Sequence, residues 1–278
     1  MHDSDRIQRS DIESLLVTHV GNRTLEQTLR HIEGEVELLR LLGRYVLFNS
    51  VFGGGVANLA GEVATRPDLF RDPEEPAALM ADRSVEVAAD VFYAAIDEFG
   101  DLSTGQRCTH RMLAQATLKA ACDFYGYNEP QALDAVASPN EPTLAAMRRV
   151  RDGYCLNQTV DEQKLLRGLG FHMGSEILAD REFNILDRYL CAEQPELVRH
   201  LRMTKIKLGG HEAVAYLWIL IHSKVEAEHY EAALHGANLA LRYYAGAGSK
   251  RDAKEWVLAG FREFAAMQAE FMKHLIEQ

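Results

Sequence analysis

Residues 222 to 229 read His-Ser-Lys-Val-Glu-Ala-Glu-His, which sets His222, Glu226 and His229 at positions i, i+4 and i+7. On a helix of 3.6 residues per turn these positions share a narrow arc, so two imidazoles and a carboxylate point the same way. The flanking sequence is apolar and reads as core. Burying three such groups is costly unless something pairs with them. A metal ion is one such partner, and nitrogen and oxygen donors of this kind suit iron, manganese or zinc. With 11 His and 41 acidic residues in 278, the pattern arises by chance in fewer than about one such chain in ten. A surface stripe or a hydrogen-bonded core cluster is the alternative. Matching ligands on other helices decide between them.

Two further places offer such ligands. Stepping by three and four from Leu165 gives the stripe Leu165, Leu169, His172, Glu176, Asp180, Phe183. It begins and ends apolar but carries ligand-type groups in its middle. A carboxylate among leucines needs a counter-charge or a proton, and Arg181 or Arg188 could supply a structural salt bridge instead. The second place follows the small apolar stripe Val87, Val91, Ala94, Ala95. Glu98 continues that stripe and Asp97 faces elsewhere. His110 stands early in the next helix, and the loop between lets it and Glu98 approach one point. Taken singly, Glu98 reads as a solvated acid at a helix end and His110 as a satisfied histidine.

These residues must be positioned by helices, because the pattern is helical nearly throughout and strand alternation is not evident over any useful length. Ser84 can cap a helix to Phe99, with Gly100 at its stop. A loop from Asp101 to Gly105 leads to a second helix ending near Gly126. Asn140-Glu-Pro142 opens a third, and Asp161 a long fourth through about Leu190. Gly209-Gly210 precede the helix carrying His222, and Gly246 with Gly248 end it. Ser249 caps a last amphipathic helix to the C-terminus. An N-terminal helical pair, about Leu25 to Asn49 and Val56 to Thr65, brackets Gly53-Gly54-Gly55. A glycine triplet can be a hinge, a tight helix contact or a backbone approach to a ligand. With no P-loop lysine after it, structural use is the better reading. Pro67 to Pro76 is the most loop-like piece. No linker or repeat divides the chain, so one all-helical domain over 1–278 is expected. Its N-terminal helices, 1–66, would pack on a metal-binding core over 82–278.

Composition narrows the function classes. Net charge is −11, from 30 basic and 41 acidic residues, which argues against a nucleic-acid surface. No apolar run reaches the roughly 18 residues that span a bilayer, and Met1 to Ser10 has no apolar signal region. Cys108, Cys122, Cys155 and Cys191 form no C-x2-C pair, which fits reduced thiols in a cytoplasmic protein.

The order E-F-G…H, then a glutamate within G-S-E-x-L-A-D-x-E-F, then H-x3-[DE]-x2-H, resembles the haem-oxygenase-like diiron oxidases. The resemblance covers roughly Ser84 to Tyr244. It implies an up-and-down helical bundle of the haem-oxygenase type holding two Fe(II) ions in place of haem. The ligand roles would fall on Glu98, His110, Glu176, His222, Glu226 and His229. Two departures stand out: the Glu98–His110 spacing is long, and Glu226 replaces a common aspartate. His172 and Asp180 would support the ligands or substitute for them, and Trp218, one turn before His222, could line the pocket or be plain core. The implied activity uses O2 as co-substrate and an electron donor of unknown identity. The substrate would be a small amino-acid-like or amine molecule, oxidised by N-oxygenation, desaturation or C–C cleavage in a biosynthetic pathway. Arg111, Arg148 and Arg151 could meet a substrate carboxylate or be surface residues. A homodimer stays open. The alternatives are a metal-free or haem-binding member of the same fold, or a non-catalytic helical interaction protein.

Overall fold

The computed structural model describes residues 6–75, 81–100, 108–129 and 138–277, without the side chains of residues 97 and 223–227. It is an all-α bundle. In chain order the helices are α1 (Arg9–Thr18), α2 (Gly21–Arg30), α3 (Glu35–Asn49), α4 (Phe52–Ala64), α5 (Ser84–Phe99), α6 (His110–Phe124), α7 (Glu141–Gly153), α8 (Glu162–Glu193) and α9 (Pro195–Met203). A hairpin, β1 (Lys205–Leu208) and β2 (His211–Val214), then leads to α10 (Leu217–Tyr243) and α11 (Lys250–Lys273).

Local chemistry sets several of these ends. Asn140 accepts the Thr143 N–H at 3.0 Å and Asp161 the Lys164 N–H at 2.7 Å, while Ser249 and Asp252 form a reciprocal capping box. At Ser84 the outcome differs. Its hydroxyl donates to the Ala64 carbonyl at 3.0 Å, and Asp82 takes the Ser84 N–H at 2.8 Å.

The structure corrects four expectations. The N-terminal pair is more divided, because α2 stops at Arg30 and Gly34 caps a separate α3. The glycine triplet lies inside α4, which begins at Phe52, and not between helices. Residues 205–214 form an antiparallel hairpin with Lys205 opposite Val214 and Leu208 opposite His211. Four-residue strands are too short for alternation to stand out, but Gly209 and Gly210, with φ of +55° and +84°, make the two-residue turn such a hairpin needs. They therefore end a strand and do not directly precede α10. The proposed loop over Asp101–Gly105 lies outside the described residues.

Helix α8 runs through the middle and packs against α10 on one side and α11 on another. The α8–α11 crossing is close enough that a Cβ at Gly170 would run into the Val257 carbonyl, and one at Gly260 into that of Arg167. Helices α3 and α4 share one buried cluster with α8, α10 and α11, through Leu38, Leu42, Tyr45, Phe48 and Leu59. Residues 69–71 are tied in by bridges from Phe70 to Tyr244 and from Arg71 to Asp82. Cys108, Cys122 and Cys155 are buried and Cys191 exposed, all unbridged. Among the described residues, no helix is long and apolar enough to cross a membrane.

Candidate metal centre

Helices α5, α6, α8 and α10 bring their polar groups to one place. Glu98 sits at the end of α5. Thr109 caps α6 by accepting the Met112 N–H at 3.2 Å, which fixes His110 as the first helical residue. His222 projects from α10. One donor atom from each of Glu98, His110 and His222 lies within 4.8 Å of the other two. Two ligands of one ion, each about 2.1 Å from it, stand about 3 to 4 Å apart, so small side-chain rotations would close this set around an ion. The imidazoles of His110 and His222 have ring centroids 4.5 Å apart, and His110 Nδ1 is 3.2 Å from Glu98 Oε1.

His222 is prepared for ligation by its own helix. Its Nδ1 lies 2.7 Å from the Trp218 carbonyl, an atom that only accepts, so Nδ1 carries the hydrogen and Nε2 the lone pair. Burial holds the imidazole well below its ordinary pKa, and nearby His110 adds to the effect. The ring is therefore neutral, as a ligand must be. Phe183 stacks on it at 4.2 Å and Trp218 meets it edge-on at 5.9 Å. Trp218 thus both walls the site and orients a ligand.

A second cluster adjoins the first. Glu176 Oε1 is 3.1 Å from His172 Nδ1, and Glu176 Oε2 is 3.5 Å from His229 Nδ1. Burial alone would push the Glu176 carboxyl up, but the charge and hydrogen bonding of His172 and His229 outweigh it and hold the group well below the usual carboxylate range. The Tyr154 hydroxyl, 2.6 Å from Ser175 Oγ and 3.3 Å from His172 Nδ1, braces this cluster from the end of α7. His172 Nε2 is buried without a hydrogen-bond partner among the described residues, a deficit that costs about 1–3 kcal/mol. Glu98 takes an imidazole N–H from His110, and Glu176 one from His172.

The two clusters share a cavity of about 30 Å³, lined by Glu98, Glu176, His222 and His229 together with Phe48, Phe52 and Phe264. It has room for a water-sized occupant. The Glu98, His110 and His222 donors fit one small cation, and Glu176 and His229 place further donors beside them.

Five of the six expected ligands, Glu98, His110, Glu176, His222 and His229, are brought together. Glu226 lies on α10, but its side chain is outside the described residues, as is that of Asp97. Asp180 does not line the cavity, and its Oδ1 accepts the Asn184 amide at 3.2 Å. The sequence stripe missed two features. Glu182 lines the cavity, fully enclosed, and burial pushes its carboxyl up to about 7 against the lowering effect of hydrogen bonds from Tyr45 (2.6 Å) and Gln268. It stands in the same segment as Glu176, but six residues on, off the i+3/i+4 track. The glycine triplet is the other. A Cβ at Gly53 would come within 3.1 Å of Glu98 Oε2, and one at Gly55 within 2.8 Å of the Tyr154 ring. The glycines let α4 approach both clusters.

No protein-family model matches this chain, and no curated protein matches it closely enough to place it.

Proposed function

We propose that the protein is a non-haem diiron oxidase or oxygenase of the haem-oxygenase-like type, using O2 to oxidise a small amino-acid-like or amine substrate. The observation that carries this reading is that the Glu98–His110–His222 set adjoins a small cavity where Glu98 and His222 meet Glu176 and His229. Two ferrous ions, when bound, supply electrons and open coordination positions through which dioxygen enters the reaction. The chain's own part is to hold the donors and keep water out. Trp218 fixes the His222 tautomer. Phe48, Phe52 and Phe264 line the cavity with apolar surface. Tyr154 and Ser175 hold the face of α8 that bears Glu176. The resemblance gives Glu226 the sixth ligand role, and His172 is a reserve donor.

Anaerobic ferrous titration followed by oxygen exposure under stopped-flow absorption tests the proposal. The expected result is two irons per chain and a transient visible band on mixing with O2. No uptake, or one zinc-like site indifferent to oxygen, would leave the cluster a polar network. In that case iron would also fail to raise the melting temperature, which a bound ligand must do.

A further inference from the structure

Arg111 and Arg151 reach one cleft from different helices. Arg111 is the second residue of α6, beside His110, and Arg151 lies in the last turn of α7. The cleft, about 490 Å³, is also walled by Glu98 and by Gly53 and Gly54 of α4. Its inner end is therefore the metal cluster itself, and Arg111 and Glu98 also line a small pocket that reaches His110 and His222. A volume of this size suits a small organic ligand.

The charges in the cleft are arranged for an anion. Among the described residues neither Arg111 nor Arg151 has an ion pair, whereas Arg148, close by on α7, is paired with Glu141. The first turn of α4 faces the same space. Its N-cap, Val51, offers no capping side chain, and a Cβ at Gly54 would meet nothing within 4 Å. The opening amides of a helix carry positive partial charge and bind anions when no side chain covers them. Asn157, held at φ +58°, closes the far wall.

We propose that this cleft holds the substrate by a carboxylate. The head group lies between Arg111, Arg151 and the α4 N-terminus, and the rest of the molecule runs toward Glu98. This inference rests on the oxidase reading. Among the described residues that line the cleft, two guanidinium charges set against the Glu98 carboxylate leave one net positive charge, which matches a monoanion. A phosphate dianion would meet Glu98 at a disadvantage, and an ammonium head would face two like charges.

Calorimetric titration of the metal-free full chain with hexanoate, hexanamide, hexylamine and hexyl phosphate tests it. Hexanoate should bind at least tenfold tighter than each of the others. Arg111→Gln and Arg151→Gln should each weaken hexanoate at least tenfold, and Arg148→Gln should leave it unchanged. Thermal unfolding checks that each variant keeps its fold. Equal affinity for hexanoate and hexanamide, tighter binding of hexyl phosphate, or wild-type binding by both Arg111 and Arg151 variants would overturn the proposal. Ferrous titration of the wild-type protein separates the two readings. Carboxylate selection without iron uptake sinks the oxidase and keeps the anion cleft, whereas iron uptake without carboxylate selection sinks the cleft alone.

Discussion

Glu182 is an acid that burial makes costly to ionise. Its carboxyl is buried at the cavity it shares with Glu98, Glu176, His222 and His229, and its hydrogen-bond donors are two neutral groups, the Tyr45 hydroxyl and the Gln268 amide. Burial raises its pKa from 4.5 to about 7. An acid whose folded pKa lies above its unfolded value holds its proton more tightly in the native state. Its contribution to stability is therefore full below pH 4.5, declines as pH rises, and is gone above about pH 7. At 1.36 kcal/mol per pH unit, the interval from 4.5 to about 7 corresponds to about 3 kcal/mol. Glu182→Gln removes the titration while keeping shape. Tyr45 can still donate to the amide oxygen, and Gln268 can turn its amide to present Oε1. Urea unfolding of chelator-treated protein, followed by tryptophan fluorescence at steps from pH 4.5 to 8, isolates the effect. The stability of the variant relative to wild type should rise by about 3 kcal/mol across that range. A difference constant to within about 0.5 kcal/mol would show that Glu182 ionises without penalty, and the argument from burial would fail.

The ligand set predicts that His229→Ala abolishes iron uptake at its site while far-ultraviolet circular dichroism stays that of the native fold. Full iron content in that variant would refute the ligand assignment. Gly53→Ala places a methyl 3.1 Å from Glu98 Oε2 and 3.3 Å from Glu98 Cβ, so α4 and the end of α5 must move apart by a few tenths of an ångström and ferrous affinity should fall about tenfold, about 1.4 kcal/mol. Unchanged affinity would mean that α4 does not position Glu98. Gly260→Ala drives a methyl into the Arg167 carbonyl and should cost about 3 kcal/mol, read as a fall of roughly 6–12 °C in Tm. Tyr154→Phe should cost about 1 kcal/mol through its lost hydrogen bonds, with a measurable loss of iron affinity in the same titration.

Much of the helical framework was legible because its signals are local. Asn140, Asp161 and Ser249 cap the helices expected of them, since a cap depends on a side chain and an amide three residues on. The arc from His222 to His229 was likewise fixed by 3.6-residue geometry, and both imidazoles are buried. Where signals were weak or cut across local rules, the reading failed. Ser84 gave its hydroxyl to Ala64, twenty residues away, and the hairpin at 205–214 was too short to show its period. Glu182 escaped notice because its neighbours, Tyr45 and Gln268, come from α3 and α11, distant in sequence.

By itself, then, the sequence determined which residue types share a helix face and where the capped helices at Glu141, Glu162 and Lys250 start, because those depend on spacing along one chain. Only tertiary packing decided that Glu98 and His110 meet His222, and that Glu176 lies between His172 and His229. It also decided that a glycine triplet with no evident chemistry makes room for Glu98 and Tyr154. Such convergence is set by how closely separate helices approach and by which side chains are lost from water together. Neither quantity is encoded in the spacing along any one helix.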